Sequence, residues 1–205
     1  MNLKPIVESL EGWCSPDKAQ VLFDLVLKSD SQISLELGVF AGRSLIPLGL
    51  AHQQKKSGFV LGVDAWSKQA SIEGGGASNT GDGTTAKAND EWWSKVNYPQ
   101  VHSKCVASID KYSLAQYCGL VRMKSLSVGL LIREDSIDIL HQDSNHSQEI
   151  SCAEVEMYHS KVKQGGYWIS DDTNWETVKP SLELLMDKGF RMIGDYESYA
   201  VFQKD

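Results

Sequence analysis

Asp143, His146, Asp171 and Asp172 form the grouping with the most evident chemistry in this 205-residue chain. Asp143 closes the apolar run 137–142, and Asp171-Asp172 closes the run 167–170. Carboxylates at two neighbouring strand ends can converge on one point. Like charges so confined raise one another's pKa unless a cation neutralises them. Oxygen ligation suits a hard divalent ion, Mg²⁺ first, with Mn²⁺ or Ca²⁺ as substitutes. Held by Asp143, Asp171 and Asp172, such an ion could bind two adjacent hydroxyls and acidify one of them. His146, three residues after Asp143, titrates near neutrality and could act as general base, with Asp143 beside it. The duller alternatives are one aspartate bonded to backbone with the others solvated, and His146 as a helix cap. His141 lies within the strand pattern and reads as core.

A second grouping lies upstream. Glu36, Gly38, Gly42 and Ser44 sit where an apolar strand (33–37) breaks into glycines and runs into a helical segment (45–51). Such a turn presents free backbone N–H groups and the positive end of a helix. Gly38 permits close approach of a ligand, since no Cβ intervenes. Glu36 beside that opening favours a cationic or zwitterionic ligand over a pyrophosphate. The spacing also departs from the dinucleotide fingerprint G-x-G-x-x-G. Asp64 ends the second strand, placed to hydrogen-bond both hydroxyls of a ribose, or merely to cap a loop. Trp66, two residues on, is assigned to the same ligand.

The elements that must position these groups are legible as a pattern. Ser15-Pro16-Asp17 is a helix start, with Ala19, Leu22, Leu25 and Val26 as the buried stripe. Strands are expected at 33–37, 59–63, 120–123, 137–142, 167–170, 190–193 and 199–202, with helices at 45–51, 105–118 and 147–163 and another carrying Val178 to Met186. The last two strands are joined so tightly that they should pair as an antiparallel hairpin. The fold class is therefore α/β: a Rossmann-like, doubly wound, seven-stranded, mostly parallel sheet with an antiparallel C-terminal hairpin. One domain is expected over 1–205, with an N-terminal helical segment at 1–32. Residues 67–90, with Gly74-Gly75-Gly76, have almost nothing to bury and read as a lid rather than a disordered loop. All the chemical groups fall at the carboxyl ends of strands, where such sheets bind ligands.

The runs His141-Gln142-Asp143-Ser144-Asn145-His146 and Ser170-Asp171-Asp172, together with the Glu36–Ser44 turn, resemble class I S-adenosylmethionine-dependent methyltransferases. The likeness is to the metal-assisted branch of sugar and macrolide O-methyltransferases, similar in layout to catechol O-methyltransferases. It covers about residues 33–202, the lid apart. The resemblance implies that Glu36, Gly38, Gly42 and Ser44 hold the methionine part of S-adenosylmethionine, Asp64 its ribose, and that Ser125 lies near the adenine. It implies methyl transfer to a hydroxyl of a saccharide or other small molecule, Trp66, Trp92, Trp93 and Trp175 flanking the cleft with flat rings suited to stacking. The alternatives are an NAD(P)-binding oxidoreductase, a non-catalytic cofactor-binding module and, more weakly, a metal-dependent hydrolase.

Twenty-seven acidic side chains against 20 Lys and Arg give a formal charge of −7, which argues against a nucleic-acid partner. No run is long enough for a membrane span or a signal peptide. Cys14, Cys105, Cys118 and Cys152 show no zinc spacing and are expected as thiols in the cytoplasm. Homo-oligomerisation is left open.

Overall fold

Ile33–Leu37 (β1) is the hinge of the sheet, paired in parallel with Phe59–Asp64 (β2) on one side and Ile137–Gln142 (β4) on the other. In this computed structural model, which describes residues 1–73, 79–81 and 83–205, Cys118–Arg122 (β3) extends the sheet beyond β2. Val162–Asp171 (β5) follows β4 in parallel. Phe190–Asp195 (β6) and Tyr199–Lys204 (β7) form the antiparallel hairpin, with β7 inserted against β5. The order is β3-β2-β1-β4-β5-β7-β6, the seven-stranded, mostly parallel sheet expected. Its crossing point lies between β1 and β4, where the chain reverses direction across the sheet and a ligand crevice opens.

Two apolar layers cover the sheet. Ile139, Ile169 and Val201 face Pro16–Lys28 (α2), Leu45–Lys55 (α3) and Tyr98–Lys111 (α6). Their neighbours Leu140, Trp168 and Phe202 face Ser125–Gly129 (α7), Gln148–Tyr158 (α8) and Lys179–Asp187 (α9). This alternation is the two-residue period of a strand, and it decides below which carboxylate meets which cation. A short helix, Lys4–Glu8 (α1), packs Val7 into the first layer.

Several boundaries differ from expectation. The helix expected at 105–118 begins earlier, at Tyr98, because Asn97 caps it by accepting from Gln100 N (3.1 Å) and Pro99 occupies its first turn. Gly165-Gly166 does not precede the fifth strand but bulges within it: Ile137 pairs with Val162 and Ile139 already with Tyr167. The stretch 67–90 is not all loop. It contains Lys68–Ser71 (α4) and the start of Ala86–Trp93 (α5), the latter capped by Thr85. Gly74-Gly75-Gly76 lie outside the described residues.

Candidate functional site

A cavity of about 1040 Å³ opens over the carboxyl ends of β1, β2, β4 and β5. It is lined, among others, by Gly38, Ser44, Asp64, Trp66, Ser125, Asp143, His146, Asp171, Asp172 and Trp175. Of the residues singled out in the sequence, Glu36 and Gly42 are the two that do not reach it. Glu36 is wholly buried beneath the cavity floor, its Oε1 2.9 Å from His141 Nδ1. The pairing follows from register, since Glu36 and His141 are direct partners across β1 and β4. Gly42 has φ +89°, and a Cβ there would stand 2.9 Å from Cys105 Sγ, so its glycine serves packing.

Gly38 lines the cavity, yet the space a Cβ would take belongs to the protein itself. The added atom would lie 1.8 Å from the Asp143 carbonyl oxygen, at φ +84°. The close approach inferred from this glycine is thus made by the loop after β4. Asp64 buckles the turn: Val39 N and Phe40 N donate to its Oδ2 (3.0 and 2.9 Å), and Trp66 N to its Oδ1 (2.6 Å). Burial raises the Asp64 pKa, and these three N–H donors oppose the rise. Trp66 is buried with its indole N–H on Phe40 O (2.8 Å), so it supports the turn rather than offering an open face.

The carboxylates divide between two cations. Asp143 and Asp171 follow the same alternation as Ile139, His141 and Ile169, and so face α2. There Lys18 Nζ lies 2.5 Å from Asp171 Oδ2 and 3.4 Å from Asp143 Oδ2, with only 4% of its side chain exposed. Asp172, one position on and at φ +50°, turns instead to His146, with 3.3 Å between Nε2 and Oδ2. His146 also sits 3.8 Å from Asp143 and 3.6 Å from Glu73. Its backbone N–H donates to Glu73 Oε1 (2.8 Å), and Asn145 Nδ2 donates to Ala70 O (3.0 Å), so the loop after β4 grips the start of the 67–90 segment.

Electrostatics follow this division. Burial disfavours charge on His146, but Asp172, Glu73 and Asp143 outweigh it and lift its pKa to about 10. Burial and the Asp171 charge push Asp143 well above the usual carboxylate range. Burial would raise Asp171 as well, but Lys18 overrides it and brings the group down to about 2. Burial likewise lowers Lys18, and the two aspartates more than restore it, to above an ordinary lysine. These carboxylates thus hold His146, expected as a neutral base, toward its imidazolium form.

The sequence reading overlooked Lys18, although a signal was present. It lies four residues before Leu22 and eight before Val26, on the buried stripe of α2, and in the helix's first turn. A cation there opposes the helix dipole and a lysine seldom lies on an apolar stripe.

A divalent ion at the aspartate trio requires oxygens of Asp143, Asp171 and Asp172 turned to one point. His141 Nε2, Asp143 and Asp171 do offer atoms within 4.8 Å of one another, but Lys18 reaches into that group and Asp172 turns away to His146. As arranged, the residues do not fit a bare divalent ion.

Fold and site together define a methyltransferase-type α/β protein. A family model described as "Methyltransferase domain" matches residues 35–173, and the chain belongs to that family. Among solved structures it is similar to the O-methyltransferase NovP (TM-score 0.73, 15% identity, 93% of this chain and 80% of that one). It is also similar to the SAH-bound Podospora anserina methyltransferase PaMTH1 (TM-score 0.64, 9% identity, 94% and 80%). A third is the O-methyltransferase TomG from Streptomyces achromogenes, involved in tomaymycin synthesis and solved with SAM (TM-score 0.62, 11% identity, 93% and 79%). No curated protein matches the chain. No helix among the described residues is long and apolar enough to cross a membrane.

Proposed function

We propose that this chain transfers a methyl group from S-adenosylmethionine to a hydroxyl oxygen of a small molecule, a saccharide being the first acceptor to test. The reading rests on one observation: a single cavity joins the glycine turn buckled by Asp64 to a cluster of three aspartates and His146. Its volume, about 1040 Å³, leaves room for a cofactor and an acceptor together. NovP and TomG, named above as O-methyltransferases, point the same way.

In this reading Gly38, Ser44 and Asp64 bind the cofactor, with Ser125 at the adenine side and the buried Trp66 bracing the turn through Phe40 O. Glu36 and Gly42 support them from below. When bound, S-adenosylmethionine supplies an electrophilic methyl group on a sulfonium. The chain's main contribution is to hold acceptor and methyl in line, worth several kcal/mol of the barrier. Asp143, whose raised pKa makes it a stronger base than an ordinary carboxylate, takes the acceptor's hydroxyl proton. The His146 imidazolium, fixed by Asp172 and Glu73, faces the oxygen from which that proton leaves and steadies its growing negative charge. Trp175, ring centroid 4.9 Å from that of His146, offers an adjacent apolar wall.

The test is calorimetric titration with S-adenosylhomocysteine and with NADH, followed by transfer of labelled methyl to panels of saccharides and catechols. Binding of the first ligand alone, with label in a hydroxylated acceptor, is expected. Binding of NADH alone would return the oxidoreductase reading, which finds no support among the relatives above. Cofactor binding with no transfer to any acceptor would favour the non-catalytic module.

A further inference from the structure

Three cationic or carboxylate-rich places invite comparison: the Glu154–Gln142–Ser144 network, the imidazolium pair of His146 and Asp172, and the ammonium of Lys18. Glu154 is satisfied by Gln142 and Ser144, at 3.0 and 2.5 Å, and leads nowhere. His146 belongs to the reaction already described. Lys18 is different, for it comes from outside the strand-end set and is absent from the main cavity's lining.

We infer that Lys18 is the resident cation of the Asp143–Asp171 pair and stands in place of a divalent metal, so that this methyltransferase works without one. The inference rests on the reading of the site as a methyl-transfer centre, but its test does not require an acceptor.

The argument begins with position. Ser15 Oγ accepts from Lys18 N at 3.0 Å, so the cap that starts α2 also fixes the backbone of Lys18. From there the side chain runs along the sheet face that carries His141, Asp143 and Asp171. Its Nζ meets one oxygen of each aspartate and lies 5.8 Å from the Tyr199 ring. A smaller cavity of about 350 Å³ lies on its other side, lined by Cys14, Ser15, Arg43, Asp171 and Asp172 among others. Lys18 lines this smaller cavity and not the main one, whereas Asp171 and Asp172 line both and Asp143 lines the main one alone.

Chemistry comes next. A buried ammonium brings one positive charge and three donors, whereas a hard divalent ion demands six or more oxygens and a double charge. Two carboxylates meeting one ammonium, with His146 on the third, leave the trio neutralised to within one charge. Metal entry would then require Lys18 to withdraw from a nearly dry site and leave its charge unpaired, which is strongly unfavourable. Lys18 does not line the main cavity; it is a positioning residue that keeps Asp171 ionised and holds both aspartates in place.

The test uses Mn²⁺ alone as probe, followed by electron paramagnetic resonance and by thermal unfolding, on the full chain. Wild type is expected to show no site-bound Mn²⁺ and no rise in Tm. Lys18→Ala, which uncovers the carboxylates, should gain Mn²⁺ affinity by on the order of tenfold or more and be stabilised by the ion. Lys18→Arg, which keeps the charge, should not. A merely structural lysine would lower Tm in the alanine variant without creating an ion site. Stoichiometric Mn²⁺ binding by wild type, abolished by Asp143→Asn, would overturn the inference, and that arm stands even if Lys18→Ala fails to fold. A folded Lys18→Ala that gains no ion would overturn it too. S-adenosylhomocysteine binding by wild type, measured alongside, reports separately on the proposed methyl transfer.

Discussion

The two halves of the cavity are built by different logics. At the β1–β2 end the contacts that shape the turn are the more local ones: Asp64 holds Val39 N, Phe40 N and Trp66 N, each within 25 residues of it in the chain. Register alone brings them together, because β1 and β2 pair in parallel with Leu37 opposite Val63. At the β4–β5 end the decisive contact spans 125 and 153 residues, from Lys18 to Asp143 and Asp171. One end is a turn that closes on itself. The other is a charge balance struck between a sheet and a helix. Their difference teaches that a strand-end carboxylate reveals its position in sequence but not its partner.

The sharpest way to break the contrast is at the contact the two halves share. Gly38→Ala puts a Cβ 1.8 Å from the Asp143 carbonyl at a positive φ. It should cost about 4–5 kcal/mol or prevent folding, by urea denaturation. A mild effect would mean that the two loops are not rigidly apposed.

Next in size is Lys18→Ala, which leaves two buried carboxylates facing each other. A loss of about 3–5 kcal/mol in unfolding free energy is expected without metal. A loss under about 1 kcal/mol, the scale of an exposed pair, would contradict the burial of this contact.

pH sharpens the comparison further. The folded pKa of His146, about 10, lies above its unfolded value of 6.5. Its contribution is therefore fully present below pH 6.5 and lost as pH rises through about 10. His146→Gln should flatten stability across that window, leaving the acid limb in place. Asp171 runs the other way: its pKa of about 2 lies below the usual 3.8, so its stabilisation fades as pH falls from 3.8 toward 2.

The smallest effect is expected at the local end. Asp64→Ala should weaken S-adenosylhomocysteine binding by about 1–3 kcal/mol in calorimetry, through ribose hydroxyls left unpaired and a loosened turn. Unchanged affinity would reduce Asp64 to the buckle of that turn.

Much of the fold was open to reading from the chain, for reasons seen in particular elements. Ser15 does cap α2, and the run 137–142 is a strand to the residue, because capping and two-residue alternation act within a few positions. The start of α6 lies earlier than the apolar spacing suggests, where Asn97 and Pro99 announce it, and β5 runs from Val162 through Gly165-Gly166, ahead of the strand expected at 167–170. Glu36 was expected at the ligand. Its place beneath it depends on which face of β1 it shares with His141 across the ladder.

The sequence by itself determined the order of strands and helices, the glycine turn, and the arrival of Asp64, Asp143 and the Asp171-Asp172 pair at the same edge of the sheet. Those features follow from periodicity, capping and backbone freedom, all short-range. Tertiary structure alone decided that Asp143 and Asp171 face α2 while Asp172 turns to His146, and that a lysine met more than a hundred residues earlier supplies the charge between them. Coulomb interaction acts through space, and only the packed sheet brings Lys18 within reach of the two aspartates.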